Sequence, residues 1–252
     1  MLQEERLVYI LNRLNESPSV TVNQLSKELD VSLSTVQRDL RFLHDTGKVQ
    51  RSRGGVLSKS YGEILSGMTE ISVADKEDLY TFAKERIAKE AALEVREGEC
   101  IFLDSGTTTA CMIPYLVQKG VTIITNSFYL LRKFNLTETN ITILGGKYYP
   151  KYDMTLGAGT IAQLEELRFD RAFLSTCGID LALKEIYAVD IEIAQIKKMV
   201  IERSKHVSVL MDGSKFGIQA IQIYAKTNQV DRIYTEVFPK NFKQLDNVII
   251  CE

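Results

Sequence analysis

Val31-Ser32-Leu33-Ser34-Thr35-Val36-Gln37-Arg38-Asp39-Leu40 decides how the first part of this chain folds. Ser32 or Ser34 stands where a helix N-cap is wanted, and Val36, Leu40 and Leu43 follow at spacings that make one apolar stripe. Gly47 supplies the left-handed residue that ends such a helix, so the spacing predicts a helix over residues 33–46. The other face carries Ser34, Thr35, Gln37 and Arg38 near the N-terminal turns, with Ser32 at the cap and Arg41 one turn beyond Gln37. Short polar and cationic side chains on one face are what a helix needs in a DNA major groove. Glutamine matches an adenine edge, and arginine matches a guanine edge or a phosphate.

The flanks fit the same unit. Upstream, Leu7, Ile10, Leu11 and Leu14 have helical spacing, and Thr21 is placed to cap a second helix through Leu25 and Leu29. Downstream, residues 48–51 and 55–57 are two short β-prone pieces joined through Ser52-Arg53-Gly54. Gly54 and Gly55 allow a tight turn and close backbone approach to a duplex, with Arg51 and Arg53 beside it. Three helices and a hairpin within residues 1–57 predict a winged helix-turn-helix. Its surroundings hold Arg38, Arg41, Lys48, Arg51 and Arg53 against Asp39 and Asp45, a local positive excess in a chain of formal net charge -2.

Residues 58–73 lose periodicity and predict a linker; the second domain then spans residues 74–252. One helix is predicted over 74–95, with Phe82, Ile87, Ala91 and Val95 on a stripe and Lys84-Glu85-Arg86 on a solvated face. Beyond Glu99, strand candidates at 100–104, 121–126, 141–144, 171–175, 207–212 and 232–235 alternate with helical patterns at 109–118, 127–134, 161–167 and 189–203. The alternation predicts an α/β fold with a mostly parallel sheet. Open sheets of that kind place ligand crevices at the carboxyl ends of their strands.

Polar loops gather at those ends. Asp104-Ser105-Gly106-Thr107-Thr108 offers free helix-start amides, a glycine and hydroxyls, the chemistry of a phosphate cradle, although it is not a Walker A loop. Thr125-Asn126-Ser127, Gly145-Gly146, Asp180, Asp212 and Lys215 complete the candidate ligand site, with Lys215 as its cation and the carboxylates as hydroxyl acceptors.

Other chemistries are poorly served. The four cysteines have no metal-ligand spacing, and His44 and His206 lack a nucleophile-elbow context, so neither a metal site, a cofactor nor a catalytic triad is expected. No apolar run is long enough to span a bilayer, and a cytoplasmic protein without membrane partners is expected.

The motif at residues 31–40, with Gly47 and Arg51-Ser52-Arg53-Gly54-Gly55, closely resembles the DNA-binding domain of the DeoR family of bacterial sugar-metabolism regulators. Gln37 and Arg53 stand where that family usually has an arginine and a histidine. The second half, over about residues 84–236, resembles the family's effector domain, which is related in fold to ribose-5-phosphate isomerase. The resemblance implies a transcriptional repressor that binds operator DNA as a homodimer or homotetramer and answers to a phosphorylated sugar. It also implies 104–108 as phosphate loop, with Asp180, Asp212 and Lys215 around the sugar. Lys184-Glu185-Ile186-Tyr187 and Thr235-Glu236 depart from the family pattern. Two other readings stand beside this one: an effector-independent DNA binder, and a sugar-phosphate isomerase with a DNA-binding appendage, which would need a carboxylate base at the substrate carbon.

Overall fold

Helix signals near the N-terminus act as their chemistry requires. Thr21 caps a helix in a reciprocal box with Gln24, and Ser32 Oγ accepts from Thr35 N at 3.2 Å to open the next. The structure is a computed structural model, and it describes residues 2–17, 19–52, 55–58, 72–137 and 139–252. The chain forms two compact units, residues 1–81 and 82–252.

In the first unit the elements are α1 (Gln3–Glu16), β1 (Ser19–Thr21), α2 (Val22–Leu29), α3 (Leu33–Asp45), β2 (Val49–Ser52), β3 (Gly55–Ser58) and α4 (Val73–Glu77). Gly47, at φ +69°, lets the chain leave α3 and enter the wing strand β2. The three strands form an antiparallel sheet in the order β1-β3-β2. Ile10, Leu14, Leu25, Val36, Leu40, Leu43 and Val56 make its core. Asp39 is buried at 0% exposure, where Arg6 Nε of α1 donates to it at 2.7 Å and Gln3 Nε2 at 3.2 Å. The carboxylate counted by sequence as surface charge therefore anchors α3 to α1. Gly55 is also explained inside the unit: a Cβ there would lie 2.6 Å from the Val20 carbonyl oxygen of β1.

The second unit is built on α5 (Thr81–Ala92), β4 (Cys100–Leu103), α6 (Thr107–Ala110), α7 (Ile113–Leu116), β5 (Thr122–Thr125), α8 (Phe128–Lys133) and β6 (Asn140–Ile143). Next come β7 (Lys147–Tyr149), β8 (Met154–Leu156), α9 (Ala158–Glu165), β9 (Phe169–Ser175), β10 (Gly178–Asp180) and β11 (Glu185–Ala188). The chain closes with α10 (Ile191–Arg203), β12 (Ser204–Leu210), β13 (Gln222–Lys226), β14 (Arg232–Thr235) and β15 (Val248–Ile250). Seven strands pair in the order β15-β14-β12-β9-β4-β5-β6, and each pairing is parallel. From β4 the chain winds one way through β5 and β6, then crosses back to β9 and winds the other way. The β4–β9 boundary is thus the switch point where doubly wound sheets open a crevice. Phe102 and Phe169 pack below it with ring centroids 5.4 Å apart. A β7–β8 hairpin and a small antiparallel sheet, β10-β11-β13, lie outside the main sheet.

Each of the six predicted strands has a counterpart in the main sheet, within a few residues at its ends. Two helices differ from expectation. The single helix over 74–95 is two, α4 and α5, because Tyr80 takes φ +56° between them. The pattern at 109–118 becomes α6 and α7, since Pro114 has no amide to continue the first. The predicted linker falls almost wholly on residues 59–71, outside the described residues. No helix among the described residues is long and apolar enough to cross a membrane.

Candidate functional site

On α3, Ser34, Gln37, Arg38 and Arg41 are exposed and recur at helical spacing on the face opposite the Val36-Leu40-Leu43 core. Ser32 Oγ lies 2.8 Å from Ser34 Oγ and 2.9 Å from Thr35 Oγ1, so the three hydroxyls form one local network at the helix start. Arg51 lies on β2; Arg53 lies outside the described residues.

At the β4–β9 boundary the structure changes the reading of Asp104. Asp104 is 4% exposed and both its oxygens accept hydrogen bonds from within the protein. Ser105 N donates to Oδ1 at 2.7 Å; Ser175 N and Oγ donate to Oδ2 at 2.8 and 2.6 Å; and Lys197 Nζ of α10 joins them on Oδ2. Burial pushes this carboxyl up, but the Lys197 ammonium and the Ser175 donors outweigh it and hold the pKa below its ordinary value. Asp104 is therefore a floor of the loop, with Oδ2 taken up inside the protein and Oδ1 bonded to the Ser105 amide. Gly106 is needed for fit, since a Cβ would meet Ser175 Cβ at 2.3 Å. Thr109 Oγ1 donates to the Asp104 and Gly106 carbonyls at 2.9 and 2.8 Å. Ala110 N bonds back to Gly106 O, which leaves the preceding amides of α6, including those of Thr107 and Thr108, ahead of the intrahelical ladder.

A second cluster faces the same end of the sheet. Lys84 of α5 is 3% exposed, on the buried stripe with Ile87, Ala88 and Ala91 rather than on a solvated face. Burial lowers its pKa to about 8; Asp212 and Cys111 oppose that shift, while Lys215 and Lys133 add to it. Asp212 is buried and caps the turn Gly213–Lys215, accepting from Ser214 N at 3.0 Å. Glu236 takes the Gly213 amide at 3.0 Å, and its carboxyl is raised by burial, with Asp212 adding to the rise. Lys84, Asp212 and half-buried Lys215 thus share one electrostatic neighbourhood, with Cys111 tying it to α6 through its bond to Thr107 O.

Thr125, Asn126 and Ser127 are buried at the end of β5. Thr125 Oγ1 accepts from Ser127 N, and Asn126 Nδ2 donates to Thr155 O at 2.8 Å. Asn126 Oδ1 and Ser127 Oγ have no partner among the described residues. Met154 Sδ accepts from both Ser105 Oγ and Asn126 Nδ2, which joins this loop to the one after β4. Gly145 and Gly146 answer to α9 instead: Gly145 N donates to Gln163 Oε1 at 3.0 Å, and a Cβ on Gly146 would strike Thr160 Oγ1 at 2.2 Å. Asp180 is likewise spent on structure. It accepts from Ala182 N, Leu183 N and Gln219 Nε2 at 2.8, 2.9 and 2.6 Å, and those donors lower its pKa.

Lys84, Ser175 and Lys197 were not in the predicted site. Both lysines occupy positions that a helical stripe reserves for apolar residues: Lys197 lies on the buried face of α10 with Ile193, Ile196 and Val200. A lysine at such a position is a readable sign of a buried charge.

Comparisons with known proteins bear on the whole chain. Residues 6–61 match the DeoR-like helix-turn-helix domain, and residues 81–237 match the DeoR C terminal sensor domain. The HTH-type transcriptional repressor GlcR of Bacillus subtilis is 31% identical over 95% of this chain and 90% of its own length. The glycerol-3-phosphate regulon repressor of Escherichia coli is 27% identical over 95% of this chain and 93% of its own. Among solved structures, ribose 5-phosphate isomerase A of Methanocaldococcus jannaschii overlaps 53% of each chain at 22% identity and TM-score 0.39. The motif around α3, the wing strands and the doubly wound second unit therefore have one common explanation: this chain belongs to the DeoR family of helix-turn-helix transcriptional regulators.

Proposed function

We propose that this protein is a repressor of carbohydrate-metabolism genes, held on operator DNA by its N-terminal unit and controlled by a phosphorylated sugar in its C-terminal unit. The observation that carries the effector reading is Lys84: an ammonium buried to 3% exposure, its pKa lowered to about 8, in the electrostatic neighbourhood of Lys215, Asp212 and Cys111, the residue that follows α6. A buried lysine that shares its surroundings with a second lysine at a strand end suits an anionic ligand. Lys84 and Lys215 take the phosphate with the amides of residues 106–108. Asp212, Asn126 and Ser127 offer acceptors and donors to the sugar hydroxyls. GlcR is a repressor by name, and the Escherichia coli relative is named for a glycerol-3-phosphate regulon, which supports both halves.

Residues 32, 34, 35, 37, 38, 41, 51 and 53 make the DNA-facing set, and the protein acts in the cytoplasm as a homodimer or homotetramer that spans two half-sites. It is not an enzyme: the commitment of Asp180 to the turn after β10 leaves it unsuited to be an isomerase base.

A thermal-shift screen of the full chain against triose, pentose and hexose phosphates tests the effector. One sugar phosphate is expected to stabilise the protein by about 2.7 kcal/mol at a hundred times its Kd. The unphosphorylated sugar should do little. No shift with any phosphosugar, nor with inorganic phosphate, would instead support an effector-independent DNA binder.

A further inference from the structure

The loop proposed to take an anion is built directly on a carboxylate. Asp104 is the residue that joins β4 to the Ser105–Thr109 turn, and Ser105 N, inside the loop, is bonded to its Oδ1. A buried, uncompensated negative charge at that spot would repel a phosphate across a few ångströms of low-dielectric interior. The compensation comes from Lys197, 93 residues away on α10 and 4% exposed. Its ammonium meets Asp104 Oδ2, donates to Ser175 O at 2.8 Å, and stands 5.2 Å from the centroid of the Tyr224 ring. Tyr224 OH closes the group by donating to the same Ser175 carbonyl at 3.1 Å.

We propose that Lys197 is a positioning residue for effector binding: it neutralises Asp104 beneath the loop and ties β4, β9 and α10 together, so that an anion meets a loop of fixed shape and no net negative charge. The inference rests on the effector reading above. Lys197 touches no effector itself, and the pair differs from an ordinary buried ion pair in that its two members act on anion affinity with opposite sign.

Sulfate is the probe, because its charge does not change near neutral pH. Sulfate affinity of the full chain is measured by calorimetry for wild type, Lys197→Met, Asp104→Asn and the double variant, with melting curves for each. Both single variants should melt lower, since each strands a buried charge. Lys197→Met should lose sulfate affinity on the order of tenfold or more. Asp104→Asn should keep or gain affinity despite its lower stability, and the neutral double variant should lie between the two. If both single variants lose affinity alike, or Lys197→Met binds as wild type does, the pair is only structural. If Lys197→Met fails to fold, Asp104→Asn decides alone: retained or increased affinity supports the inference, and lost affinity overturns it. A wild-type protein that binds neither sulfate nor a sugar phosphate refutes the effector reading itself and takes this inference with it.

Discussion

Lys84→Met is expected to abolish the response of the protein to sugar phosphate and to remove a rise in its stability between about pH 8 and 10.5. The two effects have one origin. Depressing a lysine from 10.5 to about 8 means that the fold holds its protonated form at a cost on the order of 3 kcal/mol, from ~1.4 kcal/mol per pH unit. Methionine fills the same space on the stripe beside Ile87 and Ala91 with no charge to desolvate. Because the folded pKa is the lower one, the unfolded chain holds the proton more tightly. Wild-type stability should therefore climb as pH rises from about 8 toward 10.5, and the variant should lack that rise. A bound phosphate restores the proton, so binding near pH 8.5 should take protons up from buffer and weaken above that pH. Calorimetry in buffers of different ionisation enthalpy measures this uptake. A variant that melts lower and still binds phosphate would show Lys84 to be a structural cation.

Arg38→Ala is expected to weaken operator binding by about 1–3 kcal/mol while leaving the melting temperature nearly unchanged. Arg38 is exposed on α3, whereas the core side of that helix is held by Val36, Asp39, Leu40 and Leu43. Truncating it removes a proposed DNA contact from the surface without opening a cavity. A gel-shift titration against an operator selected from random-sequence DNA by the purified protein gives the affinity. The salt dependence separates roles, because loss of a phosphate contact lowers the slope by about 1, whereas loss of a base contact relaxes specificity at one position. Unchanged affinity would remove α3 from the recognition role.

The parts legible from sequence are those where local chemistry and tertiary structure agree. Thr21 and Ser32 act as caps, Gly47 as the stop, and Val36, Leu40 and Leu43 as the buried stripe, each through chemistry local to its own helix. The main sheet was legible because its buried strands are short β-branched runs set between helices. The strands β7, β8, β10, β11 and β13 outside that sheet run three to five residues and carried no such pattern, whereas the edge strand β15 was missed although Val248-Ile249-Ile250 is such a run. The break at Tyr80 has neither glycine nor proline to announce it.

The candidate site was harder, because its chemistry is set by partners remote in sequence. Asp104 looks like a ligand acceptor at a strand end until Ser175 and Lys197, 71 and 93 residues on, take up its oxygens. Asp180 and Gly146 also sit in polar strand-end loops, yet the turn at Ala182–Leu183 and the packing of Thr160 account for them. Lys84 was read as surface because its neighbours Glu85 and Arg86 are charged; its place three and four residues before Ile87 and Ala88 was the better guide.

In the proposed function, a phosphate group at Lys84, Lys215 and the loop after β4 governs whether α3 stays on DNA. Fluorescence anisotropy of a labelled selected operator, titrated with the sugar phosphate found in the thermal screen, tests it most directly. The wild-type protein should change its operator affinity by about 1–3 kcal/mol of coupling at saturating ligand. Lys84→Met should bind the same operator with no response to the ligand. An operator affinity that ignores the bound sugar phosphate in wild type, or a response that survives in Lys84→Met, would contradict the account.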